Sequence, residues 1–124
     1  MNSEWALVFA ARWARGWNDH DLEAVLSHYA EGIVFTSPLA AQMREGSDGT
    51  IRGKTALRDY WSEGLRRMPD LHFEVLGVYV GVDTLVINFR NQAGRLGNEV
   101  LVLDGPLITS GRGTYLQSSA NPPR

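Results

Sequence analysis

From Leu71 to Leu116 the chain is an almost unbroken run of strand-forming sequence, and this constrains the fold more than any other feature. The run is interrupted at Gly81-Val82-Asp83, Ala93-Gly94 and Asp104-Gly105-Pro106, each a turn signal. Four strands follow, at 71–80, 84–91, 95–104 and 107–116. Consecutive strands joined by short turns form an antiparallel meander, and a meander must bury one of its faces. The first half of the chain supplies the cover. Trp5, Phe9, Trp13 and Trp17 recur every four residues and predict a helix over 3–17. Leu22, Val25, Leu26 and Tyr29 mark a second helix at about 20–30, and Leu57, Trp61, Leu65 and Met68 a third at 54–68, ended by Pro69. Ile33–Ser37 is β-prone and stops at Pro38. Residues 39–53 contain four residues of turn character at Gly46, Ser47, Asp48 and Gly49, and read as a loop long enough to serve as a lid. The expected order is ααβαββββ. That is an α+β domain over 1–117 with the helices on one face of a mostly antiparallel sheet, and a polar tail at 118–124.

Composition removes whole classes of chemistry. There is no cysteine, so disulfides, thiol nucleophiles and cysteine-ligated metals are absent. Net charge is −2, which argues against a surface built for nucleic acid. No apolar run approaches the roughly 20 residues of a membrane span, and no basic leader precedes one, so a soluble cytoplasmic protein is expected. No phosphate-binding loop, zinc helix or nucleophile elbow is present, and no cofactor or metal is expected. The aromatic load is heavy: four Trp, four Tyr and four Phe. These rings either fill the core or line a hole in it. Trp5, Trp17, Tyr29 and Phe73 are expected to fill it. Trp13, Phe35, Trp61 and Tyr115 are expected to face a cavity.

Several local sequences, in order, are Trp17-Asn18-Asp19-His20-Asp21-Leu22, Val34-Phe35-Thr36-Ser37-Pro38, Ile51-Arg52-Gly53-Lys54-Thr55-Ala56-Leu57 and Glu99-Val100-Leu101-Val102-Leu103-Asp104-Gly105. With the element order, they make the chain resemble the nuclear-transport-factor-2-like superfamily, in particular its SnoaL-like branch. The resemblance spans about residues 5–116. It implies a conical barrel, a deep apolar pocket for a small hydrophobic molecule, and a homodimer formed through the sheet.

The activities of that superfamily do not transfer residue by residue. Its ketosteroid-isomerase-like members carry a carboxylate base just before the proline that ends the first strand, where this chain has Ser37. Their helix-borne oxyanion tyrosine falls near Trp13, and their protonated aspartate near Glu99. The Asp-Arg-Asp set of limonene-epoxide-hydrolase-like members would need aspartates where Phe89-Arg90-Asn91 and Gly111-Arg112-Gly113 have none. His20, His28 and His72 are not placed for dehydratase chemistry.

A different polar set remains. With Ala93-Gly94 taken as a two-residue hairpin turn, Asn88 lies opposite Glu99, Arg90 opposite Gly97 and Val86 opposite Leu101. The resemblance turns Glu99 into the pocket, so Asn88, Arg90 and Leu101 share its face. A one-residue slip would reverse this. Glu99 with Arg90 is then either a buried structural pair or an acid–base site. Gly111 and Gly113 alternate on the last strand, where they either enlarge the cavity or allow a close approach. The candidate ligand-binding residues are therefore Trp13, Phe35, Ser37, Trp61, Asn88, Leu101, Gly111, Gly113 and Tyr115. Glu99 and Arg90 are the candidate catalysts. Three functions fit: a small-molecule binder, an acid–base enzyme, or a structural dimerisation domain with a filled core.

Overall fold

A computed structural model describes residues 1–118 of the chain; the expected tail, apart from Ser118, lies outside the described residues. The first helix, α1 (Ser3–Asn18), starts where the Asn2 side chain accepts a hydrogen bond from Trp5 N at 3.0 Å. The second, α2 (Leu22–Leu26), is capped in the same way by Asp21 and is shorter than its periodicity predicts. The reason is tertiary. Ile108 N donates to the carbonyl of His28, and Tyr29 already pairs with Ile108, so the backbone is committed to the sheet before another helical turn can form.

Strand β1 (Tyr29–Thr36) thus begins four residues earlier than the β-prone run. The segment expected to be a loop contains two short elements, α3 (Pro38–Met43) and β2 (Thr50–Arg52). Ser37 caps α3 by accepting from Leu39 N, and Pro38 occupies the first helical position, where a missing N–H costs nothing. Helix α4 (Lys54–Arg67) follows, then β3 (Phe73–Val80), β4 (Thr84–Asn91), β5 (Leu96–Asp104) and β6 (Leu107–Tyr115).

The six strands form one sheet in the order β2-β1-β6-β5-β4-β3. Only β1 and β6 run parallel; the other neighbours are antiparallel. Irregularities in β1, in β3 near Gly77, and between β5 and β6 after Val102 bend the sheet. It curves over the helices without closing, with β2 and β3 as its edges. Helix α1 packs on β3, and α4 crosses β1 and β2. Ile33, Leu57, Leu85, Ile87, Leu101 and Ile108 are completely buried between the layers. The α+β architecture expected from the sequence is the one observed, with an open curved sheet in place of a closed cone. No helix among the described residues is long and apolar enough to cross a membrane.

Candidate functional site

The helices do not fill the concave face of the sheet completely. A cavity of about 510 Å³ remains between the end of α1, α3, α4, β1 and the β4–β5 hairpin. Its walls are aromatic: Trp17, Phe35, Tyr60, Trp61, Phe73 and Tyr115. Trp61 meets Trp17, Tyr29 and Phe35 edge-to-face at 4.8 to 5.4 Å, an arrangement that fixes the rings rather than stacking them shut. Two ionisable side chains of the acidic or basic type line the cavity, Glu99 and Arg95.

Glu99 is held there by the register of β4 and β5, and this register corrects the sequence reading. Ile87 pairs with Glu99, Asn88 with Asn98, and Phe89 with Gly97. The whole hairpin is slipped by one residue from the expected pairing, because the turn has three residues rather than two. Asn91 Oδ1 accepts from Ala93 N and Arg95 N, Arg95 O accepts from Asn91 N, and Gly94 adopts φ 80°. A turn followed by a glycine in the left-handed region is the three-residue hairpin, and here the asparagine side chain locks it.

The slip reverses one strand's faces. Leu85, Ile87 and Phe89 are buried, while Asn88 and Arg90 lie on the outer surface of the sheet. Asn88 bonds Asn98 Oδ1 and the Gly97 carbonyl there, and Arg90 pairs with Glu74 at 3.0 Å. Neither reaches the cavity, and the expected Arg90–Glu99 pair does not exist.

Glu99 consequently has no cationic partner. Its Oε2 is buried and has no hydrogen-bond partner among the described residues. Burial in apolar surroundings, with no opposing charge, pushes its carboxyl up from 4.5 to about 8. At neutral pH it is a neutral acid that can donate a hydrogen bond. Tyr29 Oη and Trp13 Nε1 are likewise buried without a regular hydrogen-bond partner among the described residues. Burial and the nearby Glu99 raise the Tyr29 phenol well above its ordinary value, and the Trp13 N–H opposes that rise. Tyr60 is pushed up to about 12, chiefly by burial, while a hydrogen bond with Ser37 opposes the shift. The phenols are therefore neutral donors under ordinary conditions.

Five of the residues singled out in the sequence come together on the cavity wall: Phe35, Ser37, Trp61, Glu99 and Tyr115. The others do not reach it. Trp13 is 1% exposed and packs on Phe73 and Phe89 as core, and Trp5, expected in the core, is 39% exposed on the overhanging first turn of α1. Leu101 is buried beside Gly111 and forms core. Gly111 does not enlarge the cavity: a Cβ there would lie 3.1 Å from the Phe35 ring, so the glycine admits that ring. Gly113 does not line the cavity either; a Cβ there would meet Ser37 Oγ at 3.4 Å, an ordinary contact.

Trp17 and Phe73, expected in the core, also contribute cavity wall, and Arg95 and Tyr60 escaped the sequence reading. Strand alternation carries the missing signal for Arg95, since positions 95, 97 and 99 share a face. A larger groove, about 1030 Å³, runs beside Trp5, Phe9 and His28, but it is open and holds none of the buried partnerless polar atoms.

Comparison with known proteins agrees with the fold. No curated protein matches the chain. Its structure is similar to that of a SnoaL-like protein of unknown function from Burkholderia thailandensis, with 38% identity and a TM-score of 0.87, covering 94% of this chain and 98% of that one. It is also similar to a protein from Kribbella flavida assigned as a ketosteroid isomerase (17% identity, TM-score 0.72, 98% and 84% covered). A third similar structure, from Sinorhizobium meliloti, is assigned as a polyketide cyclase (13% identity, TM-score 0.68, 83% and 90% covered). The last two show a shared fold alone. A family model for the SnoaL-like domain matches residues 10–113, and on that match the chain belongs to the SnoaL-like family of the nuclear-transport-factor-2-like fold.

Proposed function

We propose that the protein binds a small, largely apolar molecule in the cavity and holds an oxygen of that molecule with the neutral carboxyl of Glu99. One observation carries the reading: a buried carboxyl oxygen of a residue on the cavity wall, with no hydrogen-bond partner among the described residues. Leaving such a group unsatisfied costs about 1–3 kcal/mol, and a ligand carbonyl or hydroxyl would remove that cost. The aromatic walls supply apolar contact, and the volume lies within the usual range for small-molecule sites, roughly 300–1,000 Å³.

The test is binding of small ketones and lactones, followed by the fluorescence of Trp17 and Trp61. Binding is expected to weaken about tenfold in Glu99→Ala and much less in Glu99→Gln, whose amide still donates. Equal binding by the parent and Glu99→Ala, or no binding to the parent, would overturn the reading.

A second reading is acid–base catalysis on the same ligand. It is favoured by the position of the Glu99 carboxyl at about 8, close to where a proton donor works best near neutral pH. It is separated from simple binding by Glu99→Gln, which would retain affinity for ketones, epoxides or lactones and abolish their turnover.

The homodimer belongs to the same proposal. Tyr79, Val86, Val100 and Arg112 are successive cross-strand partners on the outer face of the sheet, and Tyr79 is 65% exposed. A second copy seated on this row would cover an apolar stripe bordered by Asn88, Asn98 and Thr114.

A further inference from the structure

Arg95 immediately precedes β5 and lies on the cavity wall at the β4–β5 hairpin. It is 7% exposed. Its guanidinium lies over the Tyr115 ring, with Cζ 4.5 Å from the centroid. Its Nε is buried without a hydrogen-bond partner, and no carboxylate pairs with it among the described residues.

A guanidinium remains charged at any ordinary pH, and buried charges in folded proteins are paired. Nothing in the cavity supplies the pair. Glu99, the one carboxyl on the wall, is four residues further along the same strand, about 13 Å of backbone rise. Its acidity is set by burial, with no contribution from Arg95. The Tyr115 face stabilises the cation through its ring quadrupole but satisfies no N–H. The cavity therefore has two chemically distinct ends: a fixed cation near the hairpin and a neutral acid further along β5. An apolar wall of Trp17, Trp61 and Phe73 lies with them.

We infer that Arg95 is an anion-binding residue and that the ligand is a small carboxylic acid. Its carboxylate rests on the Arg95 guanidinium and its apolar body lies against the aromatic walls, directed toward Glu99. A planar guanidinium takes a carboxylate through two parallel N–H bonds, and in a low-dielectric pocket this contact selects an acid over its neutral analogue. The inference rests on the cavity being the binding site, as proposed above, and adds the charge of its ligand.

Hydrocinnamate and hydrocinnamamide have the same apolar body and nearly the same shape, and only the acid carries a charge. Titration of the full-length chain with each, followed by amide-resolved NMR, separates the two ideas. The acid is expected to bind roughly 10- to 100-fold more tightly than the amide. Arg95→Gln is expected to bring the acid down to near the level of the amide while weakening amide binding far less, and the dispersion of the variant's own amide spectrum shows that it is folded. Arg95→Lys, which keeps the charge but loses the fork, is expected to show an intermediate ratio. Should Arg95→Gln not fold, the acid-to-amide ratios of the parent and Arg95→Lys decide. Equal binding of acid and amide by the parent would overturn the anion site and leave the cavity as a binding site. Preference for the acid that survives in Arg95→Gln would assign the selectivity elsewhere and also overturn it. Binding of neither probe would count against both proposals.

Discussion

Replacing Glu99 by glutamine should make the protein more stable, and increasingly so as the pH rises. Burial holds the Glu99 carboxyl at about 8 in the folded chain, against an ordinary 4.5. Between those two values the unfolded chain has lost the proton and the folded chain keeps it. Folding then takes up a proton, so stability falls as pH increases, by about 1.4 kcal/mol per pH unit for one group. Below the ordinary value both states are protonated, and above the folded value both are ionised, so the effect is confined to that window. Glutamine has nearly the same shape and does not titrate. Urea unfolding of parent and variant, followed by tryptophan fluorescence at equal protein concentration, isolates the term, because other titrating groups largely cancel in the difference. The stability advantage of Glu99→Gln should grow by roughly 2–3 kcal/mol between about pH 5.5 and about pH 7.5. An advantage that changes by less than about 0.7 kcal/mol over that interval, or that shrinks, would refute the neutral buried acid and indicate a carboxylate with a partner.

Two further outcomes test the packing and the assembly. Gly97→Ala places a Cβ 2.7 Å from Thr114 O and 2.8 Å from the Phe89 ring; a loss of about 1–3 kcal/mol in urea unfolding is expected, and a loss below about 0.5 would contradict the close approach. In sedimentation, the parent should run at twice 13.8 kDa. Val100→Arg, in the middle of the outer row, should return it to the monomer mass, whereas a parent that stays monomeric at every concentration would remove the dimer.

The cavity depends on a single turn. Asn91, with two backbone N–H groups on its side chain, and Gly94, with its positive φ, set a three-residue hairpin. That turn places Glu99 opposite Ile87. A two-residue turn would have put Asn88 and Arg90 inside, next to Glu99, and made an ion pair where the protein has a neutral acid. The consequence for chemistry is large: an Arg-paired carboxylate is a weak proton donor, while an unpaired one near neutrality donates readily.

Much of this was legible in the linear sequence. Local periodicity marked α1, α4 and the four late strands, because those signals depend on neighbours within a few residues. Glu99 and the rings of Phe35, Trp61 and Tyr115 could be assigned to one face by alternation and by family resemblance. The short α3 and β2 were not legible, nor was the early end of α2. Ser37 caps α3, β1 pairs with β2, and the pairing of Tyr29 with Ile108 stops α2, so these features rest on partners and not on local propensity.

The sequence by itself determined the class of fold, the absence of thiol chemistry and the mismatch with the better-known active sites of the superfamily. Only the tertiary structure decided which polar groups meet. Register is a long-range property, fixed by one turn and by the packing of Ile87 and Phe89 against the helices, and a step of one residue moves a side chain to the opposite face. That step took Arg90 to the surface. The same strand alternation gave the cavity Arg95, whose charge no carboxylate answers among the described residues.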